Sequence, residues 1–165
     1  TLPALVNLNG AATDDGLPNP PAKLTYLWSW DSGPTAPAIT DPTLPVTTAL
    51  FPTPGTYVLK LTADDGALKG SATVTITVND VGPRLAAMAD RTIPLGTQFQ
   101  LQLAADDGNP TDRLTYSLLA GPTGAALKPS PRVDWLANQL GSHTFTVRVT
   151  DAFGHSDDKS FSVTG

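Results

Sequence analysis

The residues best suited to chemistry in this sequence are aspartates gathered in short turns. All fifteen acidic residues are Asp, and none is Glu. Asp-Asp-Gly occurs at 14–16, 64–66 and 106–108. Short carboxylates in turns accept hydrogen bonds from nearby backbone N–H groups, and they also supply the hard oxygens that Ca²⁺ prefers. Turn formation and cation binding are therefore the two candidate chemistries.

The cation hypothesis depends on a β-sandwich fold for the second half of the chain. In such a sandwich, the loop after the second strand and the loop after the penultimate strand lie at the pole where the chain enters. Carboxylates brought together there would repel one another unless a cation offset their charge. We therefore predict a Ca²⁺ site at this pole, with ligands drawn from Asn79, Asp80, Asp106, Asp107 and Asp151.

The alternative is that the same aspartates only shape turns. Asp-Asp-Gly and Thr-Asp are ordinary turn sequences, and Arg84, Arg113 and Arg148 could offset the charge. The equivalent aspartates of the first half, Asp14, Asp15 and Asp65, have no preceding domain in this sequence. A cation site is therefore less favoured there than in the second half.

Other side chains give weaker signals. Trp28, Trp30 and Trp135 fit hydrophobic cores, although Trp30 lies nearest a strand end and could stack on a ligand such as a sugar ring. His143 and His155 are isolated and do not form a zinc motif. No nucleophile elbow, Walker motif or dinucleotide glycine motif occurs. The sequence therefore predicts no enzyme, no catalytic residue and no cofactor other than a candidate Ca²⁺.

Composition narrows the class of protein further. The net charge is −5, and the ten Lys and Arg residues are scattered, which argues against nucleic acid or anionic membranes as partners. No apolar run is long enough to insert into a membrane. There is no Cys, so neither disulfides nor thiolate–metal chemistry is available. Sixteen Pro and fourteen Gly predict many turns and little helix.

The elements that must position these residues are short strands. Apolar and polar residues alternate over stretches such as 24–30, 55–63, 72–78, 98–104 and 143–150, with Asp, Gly and Pro between them. The order of motifs repeats on either side of Gly82-Pro83. We predict an all-β protein of two tandem Ig-like antiparallel β sandwiches with Greek-key connections, one over residues 1–80 and the other over 81–165.

Two stretches carry separate expectations. The proline-rich stretch 34–54 predicts short edge strands and loops that cover a sheet. The stretch 18–21 predicts a turn. Because the sequence starts inside a β pattern, we also expect it to be a fragment of a larger protein.

Both halves resemble known extracellular modules. Leu24-Thr25-Tyr26-Leu27-Trp28-Ser29-Trp30, Ser32-Gly33-Pro34 and the stretch 55–64 are similar to PKD-type Ig-like domains, with a shortened first strand. The stretches 114–118, 124–127, 133–135 and 147–151 are similar to the Putative Ig or cadherin-like repeats of bacterial surface proteins. Cadherin-like repeats hold calcium at domain junctions, and Val78-Asn79-Asp80 with Pro83 resembles their linker. The chain departs from that pattern because it lacks Glu.

The resemblance implies a non-enzymatic structural or adhesive spacer of a secreted or cell-surface protein, with calcium as a candidate stiffener. Its expected partners are neighbouring domains of the same polypeptide, surface glycans or other copies of the protein. The alternative is a carbohydrate-binding module, or an accessory module of a secreted hydrolase. The motifs identify a scaffold, and they do not name a ligand.

Overall fold

The computed structural model describes residues 2–17, 23–109 and 112–165, and its secondary structure there is entirely β strands and turns. The described part of the chain contains no helix with the length and apolar character needed to cross a membrane. Two compact units are present, residues 1–80 and 81–165. The all-β fold class is confirmed, and the turn predicted over 18–21 lies outside the described residues.

The first unit is a sandwich of two three-stranded antiparallel sheets. One sheet has the order β1-β4-β3 and the other β2-β5-β6. The strands are β1 Ala4–Asn9, β2 Thr25–Ser32, β3 Ala38–Ile39, β4 Val46–Phe51, β5 Gly55–Asp64 and β6 Lys69–Val78.

Alternation along the strands places the apolar residues of the first unit between its sheets. Along β5, Tyr57, Leu59 and Leu61 are buried while the residues between them are more exposed. The Tyr57 hydroxyl donates to the backbone oxygen of Thr53 at 2.7 Å, a contact that fixes the entry to β5. The buried core consists of Leu2, Leu8, Trp28, Ala49, Phe51, Tyr57, Leu59, Leu61 and Val78.

The proline-rich stretch 34–54 contributes more regular structure than the sequence predicted. β4 is the central strand of its sheet, between β1 and β3, and is not an edge strand. Pro45 and Pro52 flank β4, so no proline interrupts its ladder of hydrogen bonds. Only the short β3 matches the expected edge position.

The second unit has more strands than the first, and they form three sheets. Its sheets have the orders β11-β14-β15-β8, β12-β13-β9 and β10-β7. The strands are β7 Arg84–Leu85, β8 Arg91–Thr92, β9 Gln98–Gln102, β10 Ala105–Asp106, β11 Thr115–Ala120, β12 Ala126–Lys128, β13 Arg132–Leu136, β14 Ser142–Thr150 and β15 Ser156–Thr164. All pairs are antiparallel except β8, which runs parallel to β15.

An aromatic cluster fills the second core. Phe145 and Phe161 stack with their ring centroids 5.0 Å apart, and Trp135 meets Phe145 edge-on. The Trp135 indole N–H donates to the backbone oxygen of Thr123 at 3.3 Å, so its polar atom is satisfied inside the core. This core supports the loops at the pole where β10, β14 and β15 begin or end.

Candidate metal centre

Three aspartates of the second unit converge at one pole of the sandwich. Asp107 follows β10, Asp112 lies in the same loop, and Asp151 directly follows β14. One carboxylate oxygen from each lies within 4.8 Å of the others. Two adjacent loop ends of one sandwich therefore supply this group, which we call the aspartate triad.

In Asp107 and in Asp151, one of the two carboxylate oxygens accepts hydrogen bonds from the backbone of a turn. Oδ1 of Asp151 accepts the backbone N–H groups of Phe153 at 2.8 Å and His155 at 2.9 Å, which closes the turn into β15. Oδ1 of Asp107 likewise accepts the N–H of Asn109 at 2.8 Å. Turn chemistry therefore accounts for one oxygen of each residue and leaves the other to be explained.

The remaining oxygens are withdrawn from solvent. Oδ2 is buried in Asp107, Asp112 and Asp151, and the Asp151 side chain as a whole is fully buried. Oδ2 of Asp107 accepts no hydrogen bond from the described residues. A buried carboxylate oxygen without a partner is costly, because it loses its hydration without compensation.

The spacing of the triad suits a hard cation. Oxygens that bind one Ca²⁺ lie about 2.3–2.6 Å from it, so they cannot be more than about 5 Å apart. The 4.8 Å limit within the triad meets that condition. The three members of the triad are all carboxylates, and such a set of oxygen ligands favours Ca²⁺ or Mg²⁺ over zinc or copper.

The triad overlaps the predicted set of ligands and also differs from it. Asp107 and Asp151 come together as expected. Asp106 lies on β10 opposite Arg84 of β7, is exposed, and is not part of the triad. The prediction missed Asp112, which stands in the same loop and has no periodic pattern to mark it. The inclusion of both Asp106 and Asp107 was avoidable, because adjacent residues of an extended chain point to opposite sides.

The other two predicted ligands belong to the end of the first unit. Asn79 is exposed and Asp80 is half-buried, and both follow β6. Their participation in cation binding stays a prediction.

The first unit has a counterpart of the Asp151 turn. Oδ1 of Asp65 accepts the N–H groups of Ala67 at 2.8 Å and Leu68 at 2.6 Å. These two hydrogen bonds, with Leu68 the stronger, lower the pKa of Asp65. Among the described residues, no group of three metal-binding side chains includes Asp65. Asp65 therefore stabilises a turn. This is the role that the alternative interpretation gave to all of these aspartates.

Close packing surrounds the triad. A Cβ placed on Gly82 would lie 2.8 Å from Cβ of His155, and one placed on Gly108 would lie 2.7 Å from Cβ of Val81. Nδ1 of His155 is 3.4 Å from Oδ2 of Asp151. Glycine at these two positions allows Val81 and Gly82 to lie against the loops that carry Asp107 and Asp151.

The structure also places the arginine, tryptophan and histidine side chains that the sequence analysis considered. Arg148 makes two hydrogen bonds of 2.7 Å to Asp158, so its charge is directed at the neighbouring strand. Trp28 and Trp135 are buried, whereas Trp30 is 45% exposed at the irregular end of β2. His143 packs against Trp135 with ring centroids 5.0 Å apart, which supports its structural interpretation.

Comparisons with known families agree with this architecture. The family model described as K319L-like, PKD domain matches residues 1–78, and the one described as Putative Ig domain matches residues 82–164. The chain is a PKD domain followed by an Ig domain. The predicted resemblance is thereby confirmed, and the tandem fits a structural or accessory module.

Comparison with solved structures gives matches of low similarity. The PKD domain from KIAA 1837 protein is 28% identical, covering 44% of this chain and 69% of that one, with a TM-score of 0.37. Human Protocadherin-24 EC1-2 is 16% identical, and the match covers 86% of this chain and 80% of that one, with a TM-score of 0.42. An endo-fucoidan hydrolase from glycoside hydrolase family 107 is 17% identical with a TM-score of 0.40, and the match covers 84% of this chain and only 23% of the hydrolase.

Proposed function

We propose that the PKD and Ig domains form a non-catalytic spacer of a larger extracellular or cell-surface protein, and that the Ig domain is stiffened by Ca²⁺. The observation that supports the calcium step is the buried Oδ2 of Asp107 beside the carboxylates of Asp112 and Asp151. A Ca²⁺ ion there would offset two of the three negative charges and bridge two loops.

The chemistry of the proposed site determines what calcium would do. The turn-forming Oδ1 atoms of Asp107 and Asp151 hold the loops in place before the ion arrives. The ion would then join the β10–β11 loop to the β14–β15 turn through oxygens that already lie close together. Water or backbone oxygens would complete the shell of about six to eight ligands. Binding to the folded state alone raises the stability of the Ig domain by mass action.

The test is thermal unfolding of the full chain with Ca²⁺ and with chelator. We expect millimolar Ca²⁺ to raise the melting temperature of the Ig domain by several degrees. Asp107→Asn retains an acceptor for the Asn109 N–H and replaces the buried Oδ2 by an amide. We expect this variant to lose the calcium response and to be as stable as the wild type, or more stable, in chelator, because carboxylate repulsion is reduced.

Asp106→Asn is the matched control, since it removes the same charge from the adjacent residue outside the triad. It should keep the full response to Ca²⁺. Equal melting temperatures for the wild-type chain in Ca²⁺ and chelator would contradict the calcium proposal. A response lost in both Asp106→Asn and Asp107→Asn would support the ligand set predicted from sequence, which contains both residues, over the triad.

A carbohydrate-binding or hydrolase-accessory role is the second candidate, because Trp30 presents an exposed indole at a strand end. We expect polysaccharide binding, where it occurs, to change tryptophan fluorescence in the wild type and not in Trp30→Ala. Trp28 and Trp135 are buried and would report no such contact. An unchanged signal over a panel of polysaccharides contradicts this role and leaves the spacer proposal intact.

A further inference from the structure

The side of the Ig domain formed by β11 and β12 carries an open cleft. Each of these strands is the last strand of its sheet, and the two contact one another. The cleft lies between the start of β11 and the end of β12, and its volume is 440 Å³. Sites for small ligands usually have volumes of about 300–1,000 Å³, so this cleft is large enough to hold one.

Both walls of the cleft are held in place from the side away from it. β11 is paired with β14 along its length. In the opposite wall, the Pro131 oxygen accepts the N–H of Leu103 at 2.8 Å and the side-chain amide of Gln102 at 3.2 Å. The rings of Pro129 and Pro131 also restrict the backbone of this wall. A ligand therefore meets a cleft that is already formed, which reduces the entropy cost of binding.

The floor of the cleft is apolar and its rim is positively charged. Leu114, Tyr116 and Leu127 form the floor, where they are half-buried against the core. Arg113 and Lys128 are exposed at the rim, one on each wall. The described lining contains no Asp. Burial raises the pKa of the Tyr116 hydroxyl, so this group stays neutral and adds no negative charge.

The two positive charges at the rim are not used to pair with neighbouring carboxylates. Arg132, close to Lys128, makes hydrogen bonds of 2.6 and 2.8 Å to Asp134. Within the described part of the chain, neither Arg113 nor Lys128 forms an ion pair or a side-chain hydrogen bond. A chain with a net charge of −5 therefore presents two uncommitted cations at one cleft, where they favour an anionic ligand.

We propose that this cleft binds an acidic sugar unit, with Arg113 and Lys128 contacting its carboxylate or sulfate group. Guanidinium and ammonium groups form strong, charge-assisted hydrogen bonds to such anions. The sugar ring lays an apolar C–H face on the floor, where the Tyr116 ring contributes an aromatic surface. Its hydroxyl groups face water and the outer backbone edges of β11 and β12. The site uses neither Trp30 nor any aspartate of the triad.

The burial and backbone of the cleft favour a sugar over other anions. None of the described lining residues is fully buried, so the hydrocarbon body of a lipid would remain half exposed to water. Pro129 and Pro131 have no N–H groups, so this wall cannot form a continuous ladder with a peptide strand. A hydroxylated ring satisfies both conditions, because it tolerates water and needs only scattered hydrogen bonds.

The test is titration of the full chain with short saccharides, followed by NMR of its backbone amides in the presence of chelator. The probes are sulfated isomaltotriose, trigalacturonate and unsulfated isomaltotriose. We expect at least one of the two acidic trisaccharides to shift the amide signals of residues 113–116, 127 and 128. Neutral isomaltotriose at the same concentration should leave these signals unchanged. The two acidic probes distinguish a sulfate from a carboxylate ligand, and chelator removes any effect of calcium.

The variants Arg113→Gln and Lys128→Gln test the two rim charges. Each should weaken binding of the acidic trisaccharide by about threefold or more, because each removes one ion pair with the ligand. Arg91→Gln is the matched control, since Arg91 is exposed on β8, at the opposite edge of the sheet that contains β11. This control should bind as tightly as the wild type. Unchanged amide signals outside the cleft show that each variant is folded.

Four results would overturn the proposal. The first is the absence of shifts at the cleft with both acidic trisaccharides, and the second is equal binding of neutral isomaltotriose. The third is a loss of affinity in Arg91→Gln as large as in Arg113→Gln, which would show attraction by overall charge alone. The fourth is a hexa-aspartate peptide that shifts the same signals at lower concentration, because an acidic peptide would then be the occupant.

Discussion

The two carboxylate oxygens of one aspartate have different roles in this protein. Asp65, Asp107 and Asp151 all hold a turn through Oδ1. Only Asp107 and Asp151 direct a second, buried oxygen into a group of carboxylates. The two interpretations of the acidic turns therefore apply to different atoms of the same residues, a distinction that a sequence does not contain.

The pH dependence of the PKD domain should reflect Asp65. Its folded pKa is lowered by backbone hydrogen bonds, so its stabilisation is complete above the unfolded value of about 3.9 and is lost as pH falls through the folded value. Asp65→Asn keeps an acceptor and removes the charge. We expect the wild type to be more stable than the variant at pH 7, and the difference to shrink below about pH 4. A constant difference across denaturant titrations at pH 2–7 would contradict this.

Tyr57 provides a second prediction at the scale of a residue. Tyr57→Phe removes the hydroxyl that donates to the Thr53 oxygen from a fully buried position. We expect the free energy of unfolding of the PKD domain to fall by about 1–2 kcal/mol. Tyr26→Phe is the control, because that hydroxyl bonds to no described residue, and it should change stability by less. Chemical denaturation measures both.

Strand elements were the most predictable part of the fold. Alternation identified β2, β5, β9 and β14, because packing on one face of a sheet demands a period of two. β4 was assigned to an edge because it lies among prolines, yet those prolines stand just outside the strand. The triad was only partly predictable, because Asp112 approaches Asp151 through the path of a loop, which has no sequence periodicity.

The loop that carries Asp107 packs too closely to accept a larger residue at Gly108. A Cβ there would lie 2.7 Å from both Cβ and Cγ1 of Val81. We expect Gly108→Ala to destabilise the Ig domain by about 1–3 kcal/mol. Gly70→Ala in β6 is the control, since a Cβ placed on Gly70 would have no atom within 4 Å, and the stability of this variant should change little. Equal melting temperatures for the Gly108 variant and wild type would contradict the packing argument.

At the scale of the whole molecule, each domain has its own hydrophobic core. The segment 81–165 should therefore fold alone, since its nine strands and aromatic cluster are internal to it. We expect calorimetry of this segment to show one cooperative transition, and Ca²⁺ to raise it as in the full chain. A segment that folds but has lost its calcium response would show that the triad needs residues of the PKD domain.

The parallel pair of β8 and β15 has a consequence under tension. β8 lies near the start of the Ig domain and β15 at its end, so a pull on the two chain ends draws these parallel strands in opposite directions along their length. The hydrogen bonds of a parallel pair are spaced evenly along the strands, so this shearing pull loads them together, whereas bonds that are peeled open are loaded one after another. We therefore expect the pairing of β8 with β15 to resist a force that stretches the Ig domain between its two ends.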